Sequence, residues 1–342
     1  MQYYYENYKE YANKLREKYK KVDYKSNIKQ EFIEIKEFQK ELAKKISFTP
    51  YIYNNCSANC RFCSEKLERT SGQAKDFKLS EKYFKKLRLI LSKLKENRIF
   101  LSVSGIEPLE SLDFLKEVLQ VFKNWEEDGG RIEEKVIYSN LSAGTYNLGK
   151  IIDIIKDYNI SRIETSRHHY NEDVNNNIVR FKNKDIQLNR NYENIVRTLK
   201  NYVDIKLVCV LQNTGVNSYE EVKNYLKWAR NNGINKVVFR ELSLFNESIS
   251  GNESSNYIRK NRVPLIEVLK DIEDKAFTLT EILRGYYYFS FKYEYKKDME
   301  VTFEVSDYEE MIKQHNKDEI QKLIYYPNGD LCCDWSMKNK IF

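Results

Sequence analysis

Six short apolar segments, separated by patterns typical of helices, constrain the fold of this chain more than any other feature. The segments are 46–53, 99–103, 135–138, 160–165, 205–211 and 236–242. Between the second and third segments, Phe114, Val118 and Phe122 recur at the spacing of one helical face. Strands that alternate with amphipathic helices favour βαβ units and a parallel sheet. We therefore predict an α/β fold with a partial (β/α)6 TIM-like barrel over residues 47–250.

The regions on either side of this predicted barrel have different patterns. Apolar residues in 8–19 and 32–46 recur at loose helical spacing, which predicts that residues 1–46 form an N-terminal helical extension. Residues 251–342 are predicted to form a C-terminal α+β cap over the substrate, with a helix that begins near Pro264. Antiparallel hairpins are expected at 286–305, around the turn 296–298, and at 323–333, around the turn 327–330.

Composition and charge exclude several classes of protein. In a chain of 342 residues, 41% hydrophobic and 14% aromatic residues are enough to form a core, so a disordered chain is excluded. No window approaches about 18 uncharged apolar residues, and the N-terminus lacks a secretory pattern, so we expect a cytoplasmic protein. The 58 basic and 51 acidic residues are interspersed, so the net charge of +7 gives little support to nucleic-acid binding.

Three of the six cysteines lie in one loop directly after the first predicted strand. Cys56, Cys60 and Cys63 have the spacing C-x3-C-x2-C. Three thiolates this close suit a metal ion or cluster, and active sites form at the carboxyl ends of barrel strands. Zinc prefers four ligands, or histidines and carboxylates in place of some cysteines, whereas a cubane iron–sulfur cluster accepts three cysteines and leaves one iron open. Structural zinc and buried thiols without a ligand are the alternatives.

Polar residues also follow the other predicted strands, and in a barrel such residues meet at the mouth. They are Ser104, Gly105 and Glu107 after the second strand, Ser139 and Asn140 after the third, Ser166, Arg167, His168 and His169 after the fourth, and Arg240 and Glu241 after the sixth. Hydroxyl and amide groups suit a ribose, and arginine suits a carboxylate. Either histidine could bind substrate or transfer a proton. Ordinary loop residues and a structural ion pair are the alternatives.

The cysteine loop resembles the signature of the radical S-adenosylmethionine (SAM) superfamily, C-x3-C-x-aromatic-C, with Phe62 as the aromatic residue. The resemblance implies one [4Fe–4S] cluster, held by Cys56, Cys60 and Cys63, whose open iron binds SAM. It also implies reductive cleavage of SAM to a 5′-deoxyadenosyl radical, which abstracts hydrogen from a substrate. The protein would then orient the reactants and exclude water.

The segment 104–108 resembles the Gly-Gly-Glu-Pro motif of the same superfamily, with Ile106 in place of the second glycine. In that motif the glycine lets the backbone approach the methionine part of SAM, and the glutamate binds its ammonium group. The resemblance also implies that Phe62 lies near the adenine and Ser166 near SAM. The predicted cofactor-binding residues are Phe62, Ser104, Gly105, Glu107, Ser139, Asn140, Ser166 and Arg167.

The segment 205–242 resembles the molybdenum-cofactor GTP 3′,8-cyclase branch of the superfamily, in which the position of Lys206 binds substrate. That branch, like relatives with SPASM or twitch extensions, carries auxiliary clusters. Three cysteines remain for such a role in this chain: Cys209, Cys332 and Cys333. Adjacent residues of a strand point to opposite faces, so we expect neither a second cluster nor GTP cyclisation. These thiols are either buried and inert or hydrogen-atom donors to a substrate radical.

Together these features predict a radical SAM enzyme that abstracts hydrogen from a small polar metabolite such as a sugar, nucleoside or amino acid. The expected outcome is dehydrogenation, epimerisation or rearrangement, with electrons from a flavodoxin- or ferredoxin-type donor. The predicted substrate-binding residues are His168, His169, Lys206, Arg240 and Glu241. The alternatives are a peptide- or RNA-modifying enzyme with the same chemistry and, outside enzymes, a structural zinc-binding protein.

Overall fold

The computed structural model describes residues 4–28, 30–52, 56–63, 80–243, 253–273, 275–315, 319–335, 337 and 339–342. Within these residues, thirteen strands form one sheet. The strands are β1 (Asp23–Ser26), β2 (Phe32–Ile35), β3 (Lys40–Ile52), β4 (Arg98–Gly105), β5 (Arg131–Ser139), β6 (Arg162–Ser166), β7 (Asp204–Leu211), β8 (Lys236–Glu241), β9 (Phe277–Arg284), β10 (Tyr288–Tyr295), β11 (Met299–Ser306), β12 (Glu319–Tyr325) and β13 (Leu331–Cys332). The helices are α1 (Tyr4–Lys18), α2 (Glu81–Lys93), α3 (Leu112–Glu127), α4 (Gly144–Asp157), α5 (Glu172–Val179), α6 (Lys184–Gln187), α7 (Asn189–Leu199), α8 (Tyr219–Asn231), α9 (Glu253–Asn261), α10 (Leu265–Ile272) and α11 (Tyr308–His315).

Six parallel strands, β3 to β8, form the centre of the sheet, and each pairs with the next one along the chain. Helices α2, α3, α4 and α8 each connect two of these strands, and α5 to α7 lie between β6 and β7. The order across the sheet is β1-β9-β10-β11-β8-β7-β6-β5-β4-β3-β12-β13, with β2 paired to β3. The prediction of a parallel α/β sheet of the partial-barrel type is therefore confirmed.

The helices between the strands each bury one face. In α3, Val118 and Phe122 are fully buried, and the ring of Phe122 lies 5.4 Å from that of Phe48 on β3. Helix α8 begins where the hydroxyl of Ser218 accepts a hydrogen bond from the backbone N–H of Glu221, which satisfies a donor of the first turn. Among the described residues, no helix is both long and apolar enough to cross a lipid bilayer.

The strands after residue 250 extend the sheet at both of its edges. Strand β11 pairs in parallel with β8 and carries β10 and β9 beside it, while β12 pairs in parallel with β3 and carries β13. Both predicted hairpins are found, and Lys296 and Lys297 at the first turn have φ angles of 52° and 65°. The predicted helix after Pro264 is also found, as α10.

The prediction of helix over residues 32–46 is wrong, although α1 is helical as expected. Residues 32–35 form β2, and residues 40–46 form the first half of β3. Two irregularities produce the misleading spacing. A turn at residues 36–39 interrupts the alternation between the two strands. In addition, the pairing of β3 with β12 shifts register, since Leu42 lies opposite Ile320 whereas Ser47 lies opposite Lys322.

Candidate active site at the strand ends and in the barrel interior

The end of β4 has a backbone conformation that requires glycine. Gly105 has a φ of +129°, and a Cβ atom at this position would lie 2.3 Å from the carbonyl oxygen of Ile52 on β3. The next backbone N–H, that of Ile106, donates to the same carbonyl at 3.0 Å. The chain therefore leaves β4 in close contact with the end of β3, and this close contact positions the segment that contains Glu107.

Glu107 is buried between the ends of β4 and β5, where it is only 2% exposed. Its Oε1 accepts hydrogen bonds from the hydroxyl of Ser139 and, at 3.3 Å, from the backbone N–H of Leu109. Its Oε2 accepts from the backbone N–H of Asn140 at 2.8 Å. Burial raises the pKa of Glu107 to about 7, and the hydrogen bonds oppose that rise. A carboxylate has about four lone-pair sites, so one of them is left for a further donor.

The cysteine loop, residues 56–63, is tied to the same strand ends. The sulfur of Cys56 accepts from the backbone N–H of Ala58 at 3.3 Å and from the side-chain amide of Asn140 at 3.5 Å. The backbone N–H of Ser57 donates to both carboxylate oxygens of Glu110, at 3.1 and 3.0 Å. The loop therefore lies against the segment that follows β4, beside Glu107.

The three thiols of this loop are partly exposed rather than buried in the core. Burial of the Cys56 sulfur, followed by the charge of Glu107, raises the pKa of that thiol. In the described part of the chain, no three His, Cys, Asp or Glu side chains are arranged to hold a metal ion. The donor set still fits a group with three thiolate ligands, because hydrogen bonds to sulfur, as at Cys56, are typical of iron–sulfur ligands.

His168 connects the cysteine loop to the ends of β6 and β7. Its ring meets the ring of Phe62 edge to face, with the ring centres 4.8 Å apart. Its Nδ1 accepts a hydrogen bond from the backbone N–H of Val210 at 3.1 Å, so the proton of the neutral ring is on Nε2. Burial, followed by the charge of Arg167, lowers the pKa of His168 to about 3. This histidine is therefore neutral at physiological pH.

A large cavity, lined mostly by polar and charged residues, lies against the sheet and has a volume of about 1230 Å³. Residues from β3 to β8, β10, β11 and β12 line it. Of the predicted site residues, Ser104, Ser166, Lys206, Arg240 and Glu241 are among its walls. Its charged centre is Arg240, which donates to Glu304 at 2.7 Å and to Glu164 at 2.9 Å. The cavity is therefore lined by fixed charges, in contrast to the packed apolar core of many barrels.

Comparison with known proteins identifies the family. The radical SAM superfamily matches residues 51–251, which is more than half of the chain. The chain belongs to the radical SAM superfamily. Members of this superfamily are enzymes that use a [4Fe–4S] cluster and SAM, so the predictions of an enzyme and of these cofactors are confirmed. The GTP cyclase branch is not confirmed, and the structural zinc interpretation is no longer favoured.

Several solved structures resemble this radical SAM enzyme at low sequence identity. One is anSMEcpe with bound AdoMet, with 14% identity, a TM-score of 0.44, and coverage of 57% of this chain and 50% of that chain. Another is anSMEcpe with bound AdoMet and the Cp18Cys peptide, with 16% identity, a TM-score of 0.44, and coverage of 62% and 55%. The FeFe-hydrogenase maturase HydG from Carboxydothermus hydrogenoformans has 18% identity, a TM-score of 0.39, and coverage of 63% and 50%. The chain thus spans about half the length of these proteins, and no curated protein sequence matches it.

Two predicted site residues of this radical SAM enzyme have side chains that form hydrogen bonds with other groups of the protein. Arg167 is fully buried, and its guanidinium donates to the carbonyls of Ile186 and Gln187 at 3.1 and 3.2 Å. Glu241 has a fully buried side chain, whose oxygens accept from Tyr4 at 2.6 Å and from the backbone N–H of Leu265 at 2.7 Å. Both contacts connect separate elements of the fold, so each side chain has a structural role.

The histidine that follows His168 has a different environment. His169 donates through Nε2 to Glu221 at 3.0 Å, and its Nδ1 accepts from the backbone N–H of Asn171 at 2.9 Å. Burial lowers the pKa of His169, although Glu221 opposes this effect. The side chain of His169 therefore contacts Glu221 of α8 and is not one of the cavity walls.

The three cysteines outside the loop are buried, and the cavity residue Trp335 packs against the small cluster that contains Cys332. Cys209 and Cys332 are 0% exposed and Cys333 is 4% exposed, and none of the three is among the cavity walls of the described residues. Burial raises the pKa of Cys332 to about 12 and that of Cys333 to about 11. The hydrogen-atom donor role stays a prediction, and this placement gives it no support.

Sequence reasoning did not assign a role to several residues that the fold brings to the cysteine loop or to the cavity. They are Glu110, which holds the cysteine loop, and the cavity residues Tyr138, Glu164, Glu304, Lys322 and Trp335. Glu164 could have been found, because it lies two positions before Ser166 and therefore on the same face of β6. Glu304 and Lys322 could not, because their strands join the sheet only through long-range pairing.

Proposed function

We propose that this radical SAM enzyme removes a hydrogen atom from a small polar metabolite bound in the barrel cavity. The observation that carries the proposal is the cavity itself, a space of about 1230 Å³ with hydroxyl groups and fixed charges on its walls. Clefts of roughly 300–1,000 Å³ are the usual size for small ligands, so this one has room for part of SAM and a metabolite. Dehydrogenation, epimerisation and rearrangement are the outcomes to be distinguished.

Cys56, Cys60 and Cys63 are the residues that we propose hold the cluster. The cluster and SAM, when bound, supply the one-electron chemistry by which the superfamily takes hydrogen from substrates. Asn140 and the backbone N–H of Ala58 direct donors at the Cys56 sulfur, which favours its thiolate form. A flavodoxin- or ferredoxin-type protein is the proposed electron donor, since the three thiols are partly exposed.

The proposed SAM site lies at the ends of β4 to β6. Three donors already bind Glu107, and its remaining lone-pair site is suited to the ammonium group of SAM. The absence of a side chain at Gly105 keeps this strand end close to β3. Ser104 and Ser166 line the adjacent end of the cavity, where hydroxyls can bind ribose or carboxylate oxygens. Phe62, held against His168, is suited to pack against adenine.

The proposed substrate site lies deeper in the cavity, where charged residues face one another. Lys206 lies 3.8 Å from Glu300, and Arg240 is bound by Glu164 and Glu304. These fixed charges can orient the polar groups of a metabolite. An interior space of this kind favours a small molecule over a peptide or RNA substrate.

The experiment is a coupled assay with anaerobically reconstituted, reduced enzyme. Incubation with SAM and fractionated metabolites should give 5′-deoxyadenosine, and one metabolite fraction should stimulate its formation. Deuterium from one labelled carbon of the substrate should appear in the 5′-deoxyadenosine. A C56A/C60A/C63A variant should bind no iron and should form no 5′-deoxyadenosine. A C332A variant is the control for the loss of a thiol outside the loop. Absence of 5′-deoxyadenosine from the iron-loaded protein would contradict the proposal, as would stimulation by peptide or RNA fractions alone.

A further inference from the structure

Seven cations line the cavity, and six of them have a carboxylate partner. The pairs are Lys44 with Glu31, Lys45 and Arg98 with Glu133, Arg162 with Glu134 and Glu164, Lys206 with Glu300, and Arg240 with Glu164 and Glu304. Within the described residues, Lys322 is the exception, since its ammonium group has no carboxylate within ion-pair distance. Among the residues that the structure describes, none neutralises this one positive charge of the cavity.

The surroundings of Lys322 make this lack of a partner significant. Its ammonium group lies over the ring of Trp335, 4.5 Å from the ring centre, and both residues are cavity walls. Burial, followed by the charge of Arg240, lowers the pKa of Lys322 to about 8. A charged group removed from water is destabilising unless it is paired, so a bound anion would offset the cost.

One other polar group of the cavity walls also lacks a hydrogen-bond partner in the described part of the chain. The hydroxyl of Thr49 is fully buried and has no hydrogen-bond partner among the described residues. Thr49 lies two residues beyond Ser47, the residue of β3 that pairs with Lys322, and therefore faces the same side of the sheet. A hydroxyl donor and an ammonium group on adjacent strands are the two donor types that bind an oxyanion.

We propose that Lys322 binds an oxyanion of the substrate, a carboxylate or a phosphate, with Thr49 and Arg240 as its neighbours in the cavity. The inference rests on the proposed function and narrows it, because it assigns the substrate to the acidic metabolites. The remainder of the substrate then lies among the aromatic cavity walls, which include Tyr286, Tyr287, Tyr288 and Trp335.

The first experiment measures the reactivity of individual lysines in the iron-loaded enzyme. Acetylation by an activated ester, followed by mass spectrometry, is run with inorganic phosphate, malonate or SAM, at an ionic strength held constant with chloride. Phosphate or malonate should slow the labelling of Lys322 at least about fivefold, and the more effective of the two identifies the oxyanion. Lys236, which pairs with Asp204 and is not a cavity wall, should be labelled at an unchanged rate.

The second experiment compares variants by calorimetric titration of the same anions. K322M keeps an unbranched side chain, one heavy atom shorter, and removes its charge, so the dissociation constant should rise about 10- to 100-fold. K322R should retain most of the affinity, and K236M should match the wild type. Thermal unfolding of each variant verifies that the fold is intact.

Three results would overturn the inference. The first is no protection of Lys322 by either anion, and the second is an anion affinity of K322M equal to that of the wild type. The third is protection by SAM alone, which would assign the charge of Lys322 to the cofactor. None of these readouts depends on turnover. Protection by an anion in an enzyme that forms no 5′-deoxyadenosine would therefore support the oxyanion site and contradict the proposed function. Formation of 5′-deoxyadenosine without protection of Lys322 by either anion would support the proposed function and contradict the oxyanion site.

Discussion

The side-chain amide of Asn140 lies 3.5 Å from the sulfur of Cys56, while its backbone N–H donates to Glu107 at 2.8 Å. One residue at the end of β5 thus contacts both the cysteine loop and the buried glutamate. Nothing in the sequence near Asn140 indicates this double role. The contact gives a direct way to test whether Cys56 is a cluster ligand.

Replacement of Asn140 by alanine removes the amide donor and keeps the backbone N–H that binds Glu107. Loss of a hydrogen bond to a ligand sulfur should lower the reduction potential of the cluster. Changes next to a metal ligand often cost about 10- to 100-fold, so SAM cleavage should fall by about tenfold. Potentiometric titration followed by electron paramagnetic resonance measures the potential. The surface variant N201A is the control, and an unchanged potential in N140A would argue against Cys56 as a ligand.

Replacement of Gly105 by alanine should destabilise the protein. The new Cβ would lie 2.3 Å from the carbonyl oxygen of Ile52 at a φ of +129°, so the free energy of unfolding should fall by about 2–4 kcal/mol. Urea denaturation measures the change. In the helical control G149A the Cβ meets nothing within 4 Å, and the variant should be neutral or slightly more stable. Equal stability of G105A and wild type would refute the close contact between β3 and β4.

Glu241 should affect stability more than substrate affinity. Its carboxylate binds Tyr4, Tyr8, Arg262 and the backbone of Leu265. Replacement by alanine leaves a partly buried arginine without its partner, which should cost about 3–5 kcal/mol in denaturation experiments. The exposed pair of Glu253 and Arg180 is the control, where E253Q should cost less than about 1 kcal/mol. An E241A protein of normal stability with a raised KM would instead support the predicted substrate role.

His168 should make the protein less stable in acid. Its pKa is about 3 in the folded protein, below the ordinary value of 6.5, so between these pH values the unfolded chain binds one more proton. The free energy of unfolding should therefore fall by up to about 1.4 kcal/mol for each pH unit below 6.5. H168N keeps an acceptor for the N–H of Val210 and should reduce this slope in urea denaturation at pH 4.5 and 6. Part of the slope should remain, because burial also lowers the pKa of His315, to about 4. Identical slopes in the two proteins would contradict a buried neutral histidine.

Cys332 should be dispensable for chemistry. It is buried in a cluster with Tyr51, Ile324 and Tyr326 and is not itself a cavity wall, although the wall residue Trp335 packs against this cluster. C332A should lose about 1–2 kcal/mol of stability and keep the wild-type rate of 5′-deoxyadenosine formation and the same product. Chemical denaturation and product analysis by mass spectrometry measure the two effects. Continued SAM cleavage with loss of product would instead identify Cys332 as a hydrogen-atom donor.

Much of the fold and part of the candidate site follow from local patterns. The strands β4 to β8 could be predicted because each is a short apolar segment between helical patterns. The group 56–63 and the group 104–107 are each contiguous in the chain, so spacing alone indicates their chemistry. Residues 32–46 could not be assigned correctly, since a turn and a register shift disguise the alternation of β2 and β3.

The sequence by itself determined the parallel α/β architecture, the superfamily and the cysteine loop, because these depend on period, order and spacing along the chain. Only the tertiary structure decided the charges of the cavity, where Arg240 meets Glu164 and Glu304 from separate strands and Lys322 meets no carboxylate of the described segments. The physical reason is that side chains alternate between the two faces of a strand, so the sequence assigns each residue to a face. The residue that lies opposite it on the next strand depends on which strands pair and in what register. In this chain that pairing joins strands from both ends of the sequence to the central six.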